Sequence, residues 1–295
     1  MSSNEAQIPF RWDLVTPDQL GSLLDGVESP RLPWLDEFVE CAGKVVARSG
    51  GGQLVFVGRS LDSMFDLLSG AFADVGHPRV SRFPVSFARD GRYKNGSWTH
   101  PPLTEQERQQ ARALLASIGA RPRDLARLDR PLAFVDVVHA GSTFGDVYTL
   151  VRDWIEDERA PWSVIRKKLR FVGVTSREKT SPNTWRWHQH APWTAELPSS
   201  AVLNVSLDPY AWSYFGNHQT KLHRTYRPKD WTVDVDEPRR DEKTRDALAE
   251  AVGVVRYGRS REGRQALARA MSSEPALSEV WLRTLITHLN RSGAN

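Results

Sequence analysis

Apolar positions change period several times along the chain, and the changes mark out its elements. Residues 14–43 carry helical spacing broken by the Pro-containing stretch 29–33, leading into an amphipathic helix predicted over 35–47. A Gly-rich turn at 49–52 precedes Leu54, Val55, Phe56 and Val57, a short apolar run of the kind that forms a buried parallel strand. Gly58, Arg59 and Ser60 follow, then helical spacing over 61–72, with Ser60 as the expected N-cap and Gly70 as the expected terminator. Residues 80–87 read as a second strand and 88–102 as a long polar loop, a length that often marks a lid or binding loop. Thr104 and Glu107 are spaced as a capping box requires, ahead of helical periodicity to 119. Residues 132–138 form another apolar strand, interrupted only by Asp136, and a helix is predicted over about 144–158. Further strands are expected at 169–174 and 201–207, separated by the Trp- and His-rich stretch 182–198. A charged, Pro-containing segment at 236–241 divides residues 1–235 from a helical extension, 236–295, with helices expected over 243–255, 262–271 and 277–290. Strands alternating with helices predict an α/β fold, a parallel sheet covered on both faces.

Composition narrows the function classes. A hydrophobic fraction of 40% and a charged fraction of 26% are those of a globular protein. The net charge of +4 is spread widely, and the one basic run, Arg166, Lys167, Lys168 and Arg170, reads as a solvated helix end, so nucleic acid is not expected as a partner. A nucleic-acid module built on the basic and aromatic residues after Trp162 is the reading this disfavours. No stretch approaches the roughly 18 apolar residues that span a bilayer, and no leader-like segment opens the chain, so a cytoplasmic protein without membrane contact is expected. The single cysteine, Cys41, can form neither an internal disulfide nor a thiolate metal site, and reads as core filler in a reducing compartment. Eleven tryptophans, several crowded between 185 and 212, are mostly core, with some available to wall a pocket for a flat ring. His188 and His190 flank Gln189 without a third ligand in view, and read as surface or hood residues.

The chemistry concentrates after the 132–138 strand. Ligands of open α/β sheets bind beyond the carboxyl ends of the strands, where loop amides and helix N-termini converge. Here a buried strand carries Asp136 near its end. The small residues Ala140, Gly141, Ser142 and Thr143 then offer backbone N–H groups and two hydroxyls at a helix start, a good place for a phosphate dianion. Asp136 would repel phosphate but can hydrogen-bond the hydroxyls of a ribose beside it. A buried carboxylate is costly without such a partner.

This segment resembles the signature of type I phosphoribosyltransferases, in which apolar residues lead to two acidic residues, two apolar residues and a Thr/Gly/Ser-rich phosphate loop. Asp136 matches the second acidic position, His139 the first loop position and Ala140 to Thr143 the 5-phosphate cradle, while Val135 stands at the first acidic position. The 55–60 segment is similar to that family's pyrophosphate loop, and the polar loop after residue 87 has the place of its flexible catalytic loop. The resemblance covers roughly residues 54–174. It implies a phosphoribosyltransferase-like fold with a hood, formed from the N-terminal segment and the Trp-rich stretch, over the aglycone. It further implies that Arg59 and Ser60 bind pyrophosphate together with Mg²⁺, which is held mainly through the pyrophosphate and not by a dedicated protein metal site. Asp136 would hold the ribose hydroxyls, and Arg89, Arg92, Tyr93 and Lys94 would close as a lid. His139 would exchange a proton with the aglycone or be a neutral, backbone-bonded histidine. The expected ligand is phosphoribosyl pyrophosphate or a nucleotide, the expected activity glycosyl transfer, and a homodimer is allowed. The alternative is a protein that keeps the cradle but has lost transfer through Val135, and serves in binding or regulation.

Overall fold

The short apolar run at 54–57 is β1, Leu54–Val57, buried along its whole length in a computed structural model that describes residues 8–94, 97–99, 101–180, 186–233 and 238–291. The strands that follow are β2 (Val80–Phe83), a hairpin of β3 (Arg92–Lys94) and β4 (Ser97–Thr99), then β5 (Leu132–Val137), β6 (Leu169–Ser176) and β7 (Val202–Leu207). Five of them make one sheet in the order β2-β1-β5-β6-β7, and every pairing in it is parallel. The helices are α1 (Leu35–Arg48), α2 (Asp62–Ala71), α3 (Glu105–Ser117), α4 (Pro122–Leu125), α5 (Ser142–Asp157), α6 (Trp162–Ile165), α7 (Pro209–Ser213), α8 (Glu242–Arg259), α9 (Arg261–Ser272) and α10 (Val280–Arg291).

Alternation along the central strands feeds two cores. Leu54, Phe56, Ala133 and Val135 point to the face covered by α1, α2 and the three C-terminal helices. Val55, Val57, Leu132 and Phe134 point to the face covered by α3 and α5. Each such fully buried aliphatic or aromatic side chain stabilises the fold by about 1.5–3 kcal/mol. Cys41 is core, 2% exposed, and burial pushes its thiol up to about 12. None of the described helices is long and apolar enough to cross a membrane.

Several boundaries differ from the sequence expectation for identifiable reasons. β2 stops at Phe83 because Pro84 has no N–H for the ladder. Val85 instead makes an isolated parallel bridge with Tyr226, and the Ser86 amide donates to the Tyr226 carbonyl at 2.8 Å. Ser60 does not cap α2, whose N-cap is Leu61 with no side-chain bond. Gly70 lies inside α2 and does not end it. A Cβ there would stand 2.4 Å from the Val255 carbonyl oxygen, so the glycine lets α8 pack closely. The capping box is present: Thr104 Oγ1 accepts from the Glu107 amide at 3.2 Å, and Glu107 Oε2 accepts from the Thr104 amide at 2.7 Å. The 88–102 loop contains the β3–β4 hairpin. Asn95, Gly96, Trp185 and the proposed boundary at Asp236 lie outside the described residues.

The strand order fixes where a site can form. From β1 the chain crosses outward to β2, whereas from β5 it crosses the other way to β6, so the loops after β1 and β5 diverge to opposite faces of the sheet. Such a reversal opens a crevice at the carboxyl ends of the two strands.

Candidate functional site

The crevice is a cleft of about 580 Å³ lined by the loop after β1, the 84–89 segment, Asp136 at the end of β5, the first turn of α5 and residues from 216 to 226. It brings together two sequence segments that 81 residues of chain separate, Arg59 and Ser60 on one wall and Ser142 and Thr143 on the other.

The α5 wall is a helix start. Gly141 is the N-cap, in the left-handed region at φ 82, and the helix starts at Ser142, two residues before the expected start. No side chain caps this end and its first turn holds no carboxylate, although Asp146 follows. The first N–H groups of this 16-residue helix are therefore not taken up by an N-cap side chain, and the helix dipole favours negative charge there. Trp187 holds the turn from behind, with its indole so close that a Cβ on Gly141 would lie 2.3 Å from Cε3. Trp187 Nε1 donates to Asn204 Oδ1 at 2.7 Å, and Asn204 also meets His188 Nδ1 at 3.1 Å.

Asp136 is 6% exposed, and its Oδ1 accepts from the Val137 amide at 2.8 Å. Burial pushes its carboxyl up to about 8, against that hydrogen bond and the charge of Lys221. Burial thus favours the neutral acid, which can donate as well as accept. Val135, at the first acidic position of the motif, points to the opposite face and is fully buried in the α1–α2 core.

On the β1 wall, Arg59 donates to the His223 carbonyl at 2.8 Å and to Thr225 Oγ1 at 2.5 Å. Below it lies a buried charge cluster: Asp62 meets Arg82 at 3.1 Å, Arg11 at 3.8 Å and His223 Nε2 at 3.2 Å, and Arg11 also pairs with Asp66. Burial alone would raise the Asp62 carboxyl, but Arg82 and Arg11 hold it well below the ordinary range. Burial lowers His223 below the ordinary imidazole value.

Lys221 is the functional candidate that sequence reasoning missed. Its Nζ donates to the carbonyls of Phe215 at 3.0 Å and Ser60 at 3.3 Å and to Gln219 Oε1 at 2.6 Å. It lines the cleft and braces the β1 loop. Burial pushes its ammonium down to about 8, with Asp62 pulling the other way. The residue sits in an aperiodic segment, so no spacing signal points to it.

Of the other expected site residues, Arg89 lines the cleft and donates to Asp146 Oδ1 at 3.0 Å. Arg92, Tyr93 and Lys94 form β3, and their side chains lie outside the described residues. His139 and Ala140 are exposed and are not among the residues lining the cleft; the His139 ring lies 6.3 Å from that of Trp212. In the Trp-rich stretch, Trp187 is core and Trp193 stacks on Tyr148 at 4.8 Å.

These residues do not make a carboxylate site for Mg²⁺. Asp146 is engaged by Arg89, and no group of three metal-ligating side chains occurs among the described residues. No known family model, curated protein or solved structure matches the chain.

Proposed function

We propose that this chain is a phosphoribosyltransferase-type protein that binds phosphoribosyl pyrophosphate, or a nucleotide-like ribose 5-phosphate, and breaks or makes the bond at the ribose C1. The observation that carries this reading is the convergence, in one cleft at the strand-order reversal, of an uncapped helix start, a buried carboxyl group and three cations, Arg59, Arg89 and Lys221. In this reading the amides and hydroxyls of Ser142 and Thr143 hold the 5-phosphate, with Gly141 setting the turn. Asp136 holds the ribose hydroxyls, and Arg59 and Lys221 face the pyrophosphate. Bond cleavage passes through a cationic, oxocarbenium-like ribose, so the protein's work is to fix both phosphate ends and keep water away. Arg89 and the hairpin after it would close over the site. Mg²⁺ would enter bound to pyrophosphate, and the acceptor would lie beside His139 and Trp212, under the expected hood.

Val135 favours a second reading, in which the cleft binds without transferring. The motif's first acid is replaced by a core residue, which removes one of two ribose contacts. A pyrophosphate-release assay with phosphoribosyl pyrophosphate separates the two: release means transfer, and binding without release means a receptor.

Both readings expect ribose 5-phosphate to bind, with an affinity that depends on pH in a set direction. As pH rises through about 8, Asp136 gains negative charge and Lys221 loses positive charge. Each change disfavours an anion, so calorimetric affinity is expected to fall between pH 7 and pH 9. Absence of binding at pH 7, or an affinity that rises over this interval, would sink the assignment.

A further inference from the structure

A second cleft, of about 320 Å³, adjoins the first and shares Arg59 and Lys221 with it. Its other walls come from residues 9 and 10, from 219–224 and from the start of α8. Five cations line it, Arg59, Lys221, Arg224, Arg239 and Lys243. The one carboxylate in the lining, Asp241, is the α8 N-cap and accepts from the Thr244 amide at 2.9 Å.

The two shared cations are held in an unusual way. The hydrogen bonds of Arg59 run to the His223 carbonyl and Thr225 Oγ1, and those of Lys221 to two carbonyls and an amide oxygen. All five acceptors are neutral. The nearest buried carboxylate, Asp62, is already matched by Arg82 at 3.1 Å and Arg11 at 3.8 Å. The boundary between the clefts is therefore a half-buried pair of charges fixed in place, with no carboxylate in direct ion-pair contact among the described residues, although Asp62 acts on both and Glu250 on Lys221 at longer range. In such a setting the field of a cation is screened less than at an open surface, and an anion with several oxygens gains most.

We propose that this second cleft is a subsite for a phosphate chain, taking inorganic pyrophosphate as it leaves the first cleft. The proposal rests on the reading above, in which the donor's pyrophosphate faces Arg59. When the C1–O bond of the donor breaks, its electron pair stays on the pyrophosphate oxygen, and the product bears more negative charge than the esterified group did. Arg59 and Lys221 touch both clefts, so the anion can move from one to the other without losing its cations. Arg239 and Lys243, both exposed, supply the charge on the far side. A longer phosphate chain can meet more of the five lining cations at once, so it is expected to reach Arg239 and Lys243 better than pyrophosphate does.

The test uses the full chain with pyrophosphate, tripolyphosphate and ribose 5-phosphate as calorimetric probes, at an ionic strength where the Debye length is about 8 Å. The wild type is expected to bind tripolyphosphate more tightly than pyrophosphate. In the Arg239→Glu/Lys243→Glu double variant, whose changes are both at exposed positions, tripolyphosphate affinity is expected to fall by about tenfold or more. The preference for the longer chain should disappear and ribose 5-phosphate affinity should stay within about twofold. Unchanged tripolyphosphate affinity overturns the proposal, and so does an equal loss for all three probes, which would mean a diffuse field and no subsite. If ribose 5-phosphate binds neither protein while the tripolyphosphate loss is seen, the cradle reading fails and the second cleft stands. A milder pair, Arg239→Gln/Lys243→Gln, should give an intermediate loss if the double reversal proves poorly folded.

Discussion

Replacing Asp136 by asparagine is expected to make the protein more stable and worse at binding a ribose ligand. The carboxyl is buried and pushed up to about 8 from an ordinary value of 3.8. Between those values the unfolded chain has released the proton and the folded chain still holds it, so stability falls as pH rises through this window and levels off above it. Asparagine keeps an oxygen for the Val137 amide and has no proton to lose. The variant should match the wild type near pH 4 and exceed it by on the order of 2–4 kcal/mol at pH 8, read as a pH-dependent gap in denaturant midpoints. The same variant should lose most of its affinity for ribose 5-phosphate while inorganic phosphate still binds, because the proposed phosphate contacts lie on α5. A group whose removal stabilises the fold and costs binding is held there for the ligand. Equal stability at pH 8 would contradict the raised carboxyl, and a parallel loss of both ligands would assign Asp136 to the fold alone.

Gly141→Ala carries the other large effect, in the opposite direction. The position has φ 82, where an L side chain costs roughly 1–2 kcal/mol. The added Cβ also meets Trp187 Cε3 at 2.3 Å, and Trp187 is 2% exposed and cannot swing into solvent. Together these should destabilise the protein by about 2–4 kcal/mol, a melting temperature lower by roughly 5–10 °C. Phosphate binding should be lost in the folded fraction, since the turn that aims the α5 amides cannot close. A variant with wild-type melting and wild-type phosphate affinity would contradict the role given to this turn.

The parts of this site that were legible in the sequence are the local ones. β1 and β5 announce themselves as apolar runs with nothing to alternate, because both faces of a central parallel strand are covered. The small-residue loop after β5 is visible because its run of Ala140, Gly141, Ser142 and Thr143 lets the chain leave the strand and enter α5 in a tight turn, with Gly141 in the left-handed region. What stayed hidden depends on contacts distant in sequence. Nothing near Lys221 reveals that its ammonium will reach the Ser60 carbonyl, and nothing near Val85 reveals its bridge to Tyr226. Gly70 looks like a helix terminator until Val255 of α8 is placed against it. The tryptophans read as candidate pocket walls because composition cannot tell a wall from a buttress. Trp187 proves to be the latter, standing behind the phosphate turn.

The account depends most on what fills the cleft between β1 and β5. The direct measurement is a crystal structure of the protein soaked with ribose 5-phosphate. The phosphate is expected on the amides and hydroxyls of Ser142 and Thr143, with the ribose hydroxyls turned toward Asp136 and the C1 end toward Arg59 and Lys221. Ligand density elsewhere, with the start of α5 left empty, would contradict it.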